Sequence, residues 1–325
     1  MRAAQVTATT GPAGVEIREV PDAVAGPGQV LIEVHSVGVS FPDLLLSKGE
    51  YQLRPDPPFT LGVDVAGTVA EVGAGVEGFT IGQRVAGVLP HGGAADLVAV
   101  PAPFVFPLPD GTSYDEGAAL PMNYLTAQFA LDERAGLRAG ETVLVHGAAG
   151  GVGTAAIQVA TAMGARVIAV VSSNDKAEVA RAAGAGEAVL LDGFRDAVTA
   201  LTQGQGVDVV IDVVGGDAFT DSLRVLAPQG RLMVVGFASG QGIPEVKVNR
   251  LLLNNVDVRG VGWGAYAMVR PGFMQEQWQE LKPMLASGVV RPPIGATYAF
   301  EEFAQALVDL EERRATGKLV VHVRD

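Results

Sequence analysis

The stretch from Thr142 to Met163 constrains the fold more than any other, because an apolar run, a glycine-rich turn and a small-residue helix follow one another without a break. Thr142 to His146 reads as a buried strand. Thr154 to Met163 reads as a helix, with Ala155, Ile157, Val159 and Ala160 as its small and apolar packing positions. Between them stands Ala148-Ala149-Gly150-Gly151-Val152-Gly153. A strand that runs into glycines and then directly into a helix opens a βαβ unit of a parallel sheet. Glycines there let the backbone approach a pyrophosphate, and the helix start offers N–H donors and the positive end of its dipole. Ala149, Gly150, Gly151, Val152 and Gly153 are thus the expected phosphate-binding residues. Ala148 holds the first position of the usual G-x-G-x-x-G; alanine is small but gives up easy access to positive φ.

From about residue 123 onward this alternation continues. Strands are expected at Arg166 to Val171, Ala188 to Leu191, Val207 to Val213, Arg231 to Val235 and Val256 to Val261, with a helix at Lys176 to Ala183. That pattern specifies an α/β domain with a doubly wound parallel sheet. The preceding residues differ in texture: short strands such as Val30 to Val39, Val65 to Val72 and Arg84 to Leu89 are broken by Gly26-Pro27-Gly28 and Pro55-Asp56-Pro57-Pro58. They indicate a mostly antiparallel β domain. The tail reads as two amphipathic helices, Phe273 to Ser287 and Glu301 to Arg314, and a closing strand, Leu319 to Val323. It is expected to fold back on the first domain, giving residues 1–122 with 266–325 as one domain and 123–265 as the other. A length of 325 residues suits two domains.

Composition excludes several functions. Lys and Arg total 23 against 36 Asp and Glu, a net charge of −13, which repels nucleic acid and anionic membranes. There is no cysteine, so disulfides, thiolate nucleophiles and Cys-ligated metals are excluded. The four histidines, His35, His91, His146 and His322, form no spaced ligand pair. No signal-like run opens the chain and no apolar stretch approaches a membrane span, so a cytoplasmic location is expected.

Enzymes that use NAD usually place an acidic residue on the ribose at the end of the second strand. Here that end reads Val171-Ser172-Ser173-Asn174-Asp175-Lys176. Val171 cannot repel a 2′-phosphate, and Ser172, Ser173 and Lys176 can bind one, so NADPH is the expected cofactor. Ser172 reads alternatively as the cap of the next helix, with Lys176 solvated and Asp175 drawn toward the ribose, roles that do not exclude phosphate binding.

Several segments together resemble the NADPH:quinone oxidoreductases, the zinc-independent branch of the medium-chain dehydrogenase/reductase superfamily. They are Ala148 to Gly153 with Gln158 and Gly164 to Ala169, Val39 to Leu46 with Lys48 to Tyr51, Leu61 to Gly67, and Arg313 to Lys318. The resemblance spans essentially the whole chain. It implies a discontinuous chaperonin-10-like β domain, a Rossmann domain, and an active cleft between them. Zinc-dependent alcohol dehydrogenases of the superfamily carry Cys at Ser40 and Gly-His-Glu at Gly62-Val63-Asp64, so both ligand positions are lost here and no metal is expected. The quinone reductases often have Asn at Ser40, Arg near Ser47 and an aromatic near Leu191, and this chain departs from all three.

Without metal or nucleophile, direct hydride transfer to a quinone or an α,β-unsaturated carbonyl is the simplest chemistry. Ser40 and Tyr51 are the candidate cleft residues, and Thr126 the candidate near the nicotinamide, with Asn123 on the same approach. Tyr51 also reads as a packing aromatic and Thr126 as a helix back-bond. The resemblance assigns Gly236 to Gly240, with Phe237 and Ser239, to the nicotinamide half and Arg313 to a cofactor phosphate; Arg313 reads alternatively as a solvated helix-end charge. An enoyl-thioester or alkenal reductase on the same scaffold and a non-enzymatic NADPH-binding sensor remain alternatives. The valine-rich strand Val256 to Val261, expected at a sheet edge, points to a homodimer.

Overall fold

The computed structural model describes residues 1–324. The chain divides into two units. One comprises Met1–Met122, Pro271–Lys282 and the residues from Pro292 onward; the other comprises Asn123–Arg270 and Pro283–Arg291.

The first unit is built on a seven-stranded sheet. Its spine is the strand Gln29–Val39, whose buried Val30, Ile32, Val34 and Val37 enter the core. Gln29–Val39 pairs antiparallel with Asp64–Val72 on one side and Lys318–His322 on the other, and Leu97–Pro101 also pairs with it. The registers align Gly38 with Asp64 and Val39 with Leu319. Three segments far apart in sequence therefore end side by side, at Ser40, Asp64 and Lys318. Phe300, Phe303, Ala306 and Leu307 of the tail are buried in the same core as the first strands. The tail thus supplies core to this unit, while Pro283–Arg291 lies with the other.

The second unit holds a six-stranded sheet in which every pairing is parallel. Its order is Glu187–Leu190, Arg166–Val171, Thr142–His146, Val207–Asp212, Leu226–Val234, Asp257–Gly260. Connections leave Thr142–His146 in opposite directions on its two sides, and such a switch point is where α/β sheets bind ligands, beyond the carboxyl ends of the strands. The helix after it spans Gly151–Ala162, beginning three residues before the expected Thr154 because the glycines form its first turn. Leu226–Val234 starts five residues earlier than expected, and its pairing with Val207–Asp212 shifts register between Val207 and Val209. Among the described residues no helix is long and apolar enough to cross a membrane.

Candidate functional site

The glycine-rich turn expected to bind phosphate lies at the switch point. Its tight bend is made at Gly147, with φ +60, where a side-chain Cβ would come 2.7 Å from Val213. The positive φ that Ala148 could not easily supply is provided one residue earlier, so the alanine costs the turn nothing. Gly147 is a residue the motif count missed. At Gly153 an added Cβ would overlap the Gly147 carbonyl and come 2.8 Å from Ala148 Cα; at Gly151 it would come 2.5 Å from Asn123 Nδ2. The helix Gly151–Ala162 has no side-chain cap at Gly150. Thr154 Oγ1 donates to the Gly150 and Gly151 carbonyls and leaves the opening N–H groups alone. A bare, glycine-lined helix start fits a dinucleotide pyrophosphate. Ala149 is buried beneath the turn and Val152 is half-buried.

At the end of the neighbouring strand Val171 is buried and Ser172 is exposed. Ser173, not Ser172, caps the next helix, accepting the Lys176 N–H at 3.4 Å. This removes the capping alternative for Ser172. Its hydroxyl and the half-buried Lys176 belong to the same short turn.

The loops proposed for the nicotinamide half are organised by Asp212, which sequence reading passed over. Asp212 is almost completely buried, and its Oδ1 accepts the N–H groups of Val214 at 2.8 Å and Gly215 at 2.9 Å. Burial raises its pKa. Phe237 lies against Gly215, and Ser239 N–H bonds to the Val214 carbonyl at 2.8 Å, so the two residues sit on the bend Asp212 holds.

The π-helical turn Pro121–Leu125 precedes the helix Thr126–Phe129. π-Turns occur frequently at functional positions. Asn123 packs on Gly151 and is therefore the better placed of the two residues toward the phosphate turn. Thr126 is buried at the start of its helix. Tyr124 donates to Gln158 at 2.7 Å, and Gln158 exchanges hydrogen bonds with the Arg291 backbone at 2.8 and 2.9 Å. The motif residue Gln158 thus fastens Pro283–Arg291 to the helix Gly151–Ala162.

The first unit contains a buried charged cluster. Lys318 Nζ donates to Ser40 Oγ and to Asp64 Oδ2, both at 2.6 Å, while the Ser40 hydroxyl donates to the same Asp64 oxygen at 3.1 Å. The side chains of Lys318 and Asp64 are 3% and 0% exposed. Asp64 Oδ1 accepts the Met122 N–H at 2.8 Å. Asp43 accepts from the Ser40 and Gly62 backbones at 3.0 and 2.8 Å, and burial pushes its pKa up to about 7. Burial also raises Asp64, opposed by Lys318. Tyr51 is half-buried on the core; burial first and the Asp43 charge second raise its pKa, so its phenol is a proton donor over the physiological range. Arg313 ends the tail helix in a left-handed conformation, φ +59. Asp43, a residue not singled out from sequence, holds the Ser40 backbone. Arg313 belongs to this unit, and Thr126 and the phosphate turn to the other.

Two family models match the chain: an alcohol dehydrogenase GroES-like domain over residues 26–110, and a zinc-binding dehydrogenase over residues 151–287. The chain is 38% identical to "Quinone oxidoreductase-like protein 2" of Rattus norvegicus, over 95% of this chain and 89% of that protein. It is 36% identical to a "Quinone oxidoreductase" of Pseudomonas aeruginosa, over 98% of both. A solved quinone oxidoreductase of Thermus thermophilus, also determined in complex with NADPH, superposes with a TM-score of 0.86 at 38% identity, covering 99% of this chain and 100% of that one. The second model's description names zinc, but the residues here do not fit that metal. Val63 is an apolar core residue, Ser40 Oγ is occupied by Lys318 and Asp64, and the described residues contain no group of three His, Cys, Asp or Glu able to hold a metal ion.

Proposed function

Because the chain belongs to the quinone oxidoreductases of the medium-chain dehydrogenase/reductase superfamily, we propose that it transfers hydride from NADPH to a quinone or an α,β-unsaturated carbonyl without zinc. The observation that carries the reading is the uncapped, glycine-lined helix start at the switch point of a fully parallel sheet.

The N–H groups of Gly151, Val152 and Gly153 would hold the pyrophosphate, with Ala149 and Gly150 shaping the approach. Ser172 and Lys176 would hold the 2′-phosphate, with Ser173 fixing the turn through its cap. Phe237 and Ser239 would border the nicotinamide, Thr126 and Asn123 would line its approach, and Arg313 would reach a phosphate. NADPH, when bound, supplies the hydride. What the protein must add is a hydrogen-bond donor for the hydroquinone anion or enolate that forms, and then a proton. Ser40 and Tyr51 are the donors in this reading. Quinones and enones suit a site without metal, whereas oxidation of a simple alcohol needs its alkoxide stabilised.

The active form in this reading is a homodimer. Among the described residues, Asp257–Gly260 is the last strand of its sheet and pairs on one side only. Beside it in sequence Ile243, Val248, Leu252 and Leu253 are 77%, 73%, 75% and 73% exposed. An unpaired edge flanked by exposed apolar side chains matches a second copy of itself across a two-fold axis.

A panel of quinones, enals, enoyl thioesters and simple alcohols tests the assignment. NADPH consumption with the quinones or enals is the expected result. Oxidation of ethanol or benzyl alcohol by metal-free protein, with no quinone or enal reduction, would overturn it.

A further inference from the structure

The Ser40 hydroxyl proton is already committed: it is donated to Asp64, while the oxygen accepts from the Lys318 ammonium. A hydroxyl whose proton is committed to a carboxylate cannot serve an oxyanion unless it turns, and turning is costly if it strands a buried carboxylate. Asp64 is not stranded. It keeps the Lys318 ammonium at 2.6 Å on one oxygen and the Met122 N–H at 2.8 Å on the other, wherever the Ser40 proton points. The ammonium also sits 2.6 Å from Ser40 Oγ, and an oxygen that accepts from a cation becomes a stronger donor. The surrounding backbone makes room for this arrangement. A Cβ on Gly38 would overlap the Ala118 carbonyl and come 2.5 Å from Lys318 Cε, so the strand passes this close to Ala118 and the lysine only as glycine. Asp43 fixes the Ser40 backbone independently, so the hydroxyl can turn without moving its residue.

We propose that Lys318, balanced by Asp64, is a positioning residue that polarises the Ser40 hydroxyl and frees it to donate to the product oxyanion, placing a fixed cation behind the oxygen that stands where metal-dependent relatives have a ligand. The proposal rests on the reading that Ser40 is a donor to substrate. Lys318 itself touches no substrate. Its effect on rate passes through Ser40 and vanishes when the hydroxyl is absent.

The test is a double-mutant cycle in the full-length protein, with steady-state quinone reduction and NADPH affinity measured separately. Ser40→Ala and Lys318→Met are each expected to lower kcat ten- to a hundredfold, with NADPH affinity within about twofold of native. Lys318→Met added to Ser40→Ala is expected to cost no further kcat. Ser40→Thr, which keeps the hydroxyl, should retain most of the rate. Lys318→Met leaves Asp64 buried without its cation, so the charge-neutral pair Asp64→Asn with Lys318→Met provides a folded control, checked by its melting transition, and should show the same kcat loss. If Ser40→Ala leaves kcat unchanged, the reading of Ser40 as a donor fails, and this inference with it. If Ser40→Ala is slow but Lys318→Met and the neutral pair are not, or if the two losses multiply, the inference alone is refuted.

Discussion

Replacing Gly153 with alanine puts a methyl group into the closest approach in the phosphate turn. Its Cβ would overlap the Gly147 carbonyl and lie 2.8 and 2.9 Å from Ala148 Cα and C. All three neighbours are backbone, about 1 Å inside normal contact, and none can turn aside as a side chain would. Overpacking of this kind costs about 3 kcal/mol at the upper end, and alanine's better helix propensity returns about 1 kcal/mol. The net loss is about 2 kcal/mol, a fall in melting temperature of about 3 °C for a chain of this length. Relief of the clash also moves the opening helix turn away from its strand, displacing the N–H donors. Losing one charge-assisted hydrogen bond of about 1.5 kcal/mol or more lowers NADPH affinity at least about tenfold. Gly150→Ala is the control. Its Cβ meets only the Gly147 carbonyl at 3.4 Å, so the fold tolerates the methyl, while the cradle facing the phosphates is narrowed. Calorimetry and fluorescence titration of NADPH on both variants read the two quantities. A Gly153→Ala protein that melts and binds NADPH like the native chain would refute the reasoning.

His146 carries a pH dependence of stability. Burial lowers its pKa to about 4, so between about pH 6.5 and 4 the unfolded chain takes up a proton that the folded one refuses, and stability falls as pH drops through that window. The full contribution is about 3 kcal/mol; urea midpoints at pH 7 and pH 4.5 should differ less in His146→Asn than in the native chain, and equal differences would contradict it. The native chain should prefer NADPH to NADH, and Lys176→Ala should lower kcat/KM for NADPH about 10- to 150-fold while sparing NADH; equal native efficiencies would defeat the preference, and a preference that survives Lys176→Ala would free Lys176 of the role. Leu252→Asp with Leu253→Asp should convert the dimer to a monomer by light scattering at micromolar concentration; a native chain that is already monomeric would remove the dimer from the account.

The strand, glycine turn and helix from Thr142 to Ala162 were legible because their signal is local: the three are contiguous, and each glycine acts on its immediate neighbours. Even there, counting the motif from Ala148 hid Gly147, since positive φ is a property of the backbone and not of motif spacing. The helix cap fell on Ser173 beside Ser172 because two adjacent serines offer the same hydroxyl, and only the extended backbone at Ser173 decides between them. The charged cluster was harder to read. Ser40, Asp64 and Lys318 each lay in a recognisable segment, but their contacts cross 24, 254 and 278 residues of chain, and only the pairing of three strands brings them together. Asp43 and Asp212 carry no sequence signal of their own; their burial and the backbone N–H groups they receive set them apart.

The measurement that bears most directly on the account is NADPH consumption by protein stripped with chelator and shown by elemental analysis to be free of zinc, on addition of 1,4-benzoquinone and against a protein-free control. The account predicts rapid loss of NADPH absorbance, unchanged by restoring zinc. No consumption above the control, or consumption that appears only when zinc is returned, would contradict it.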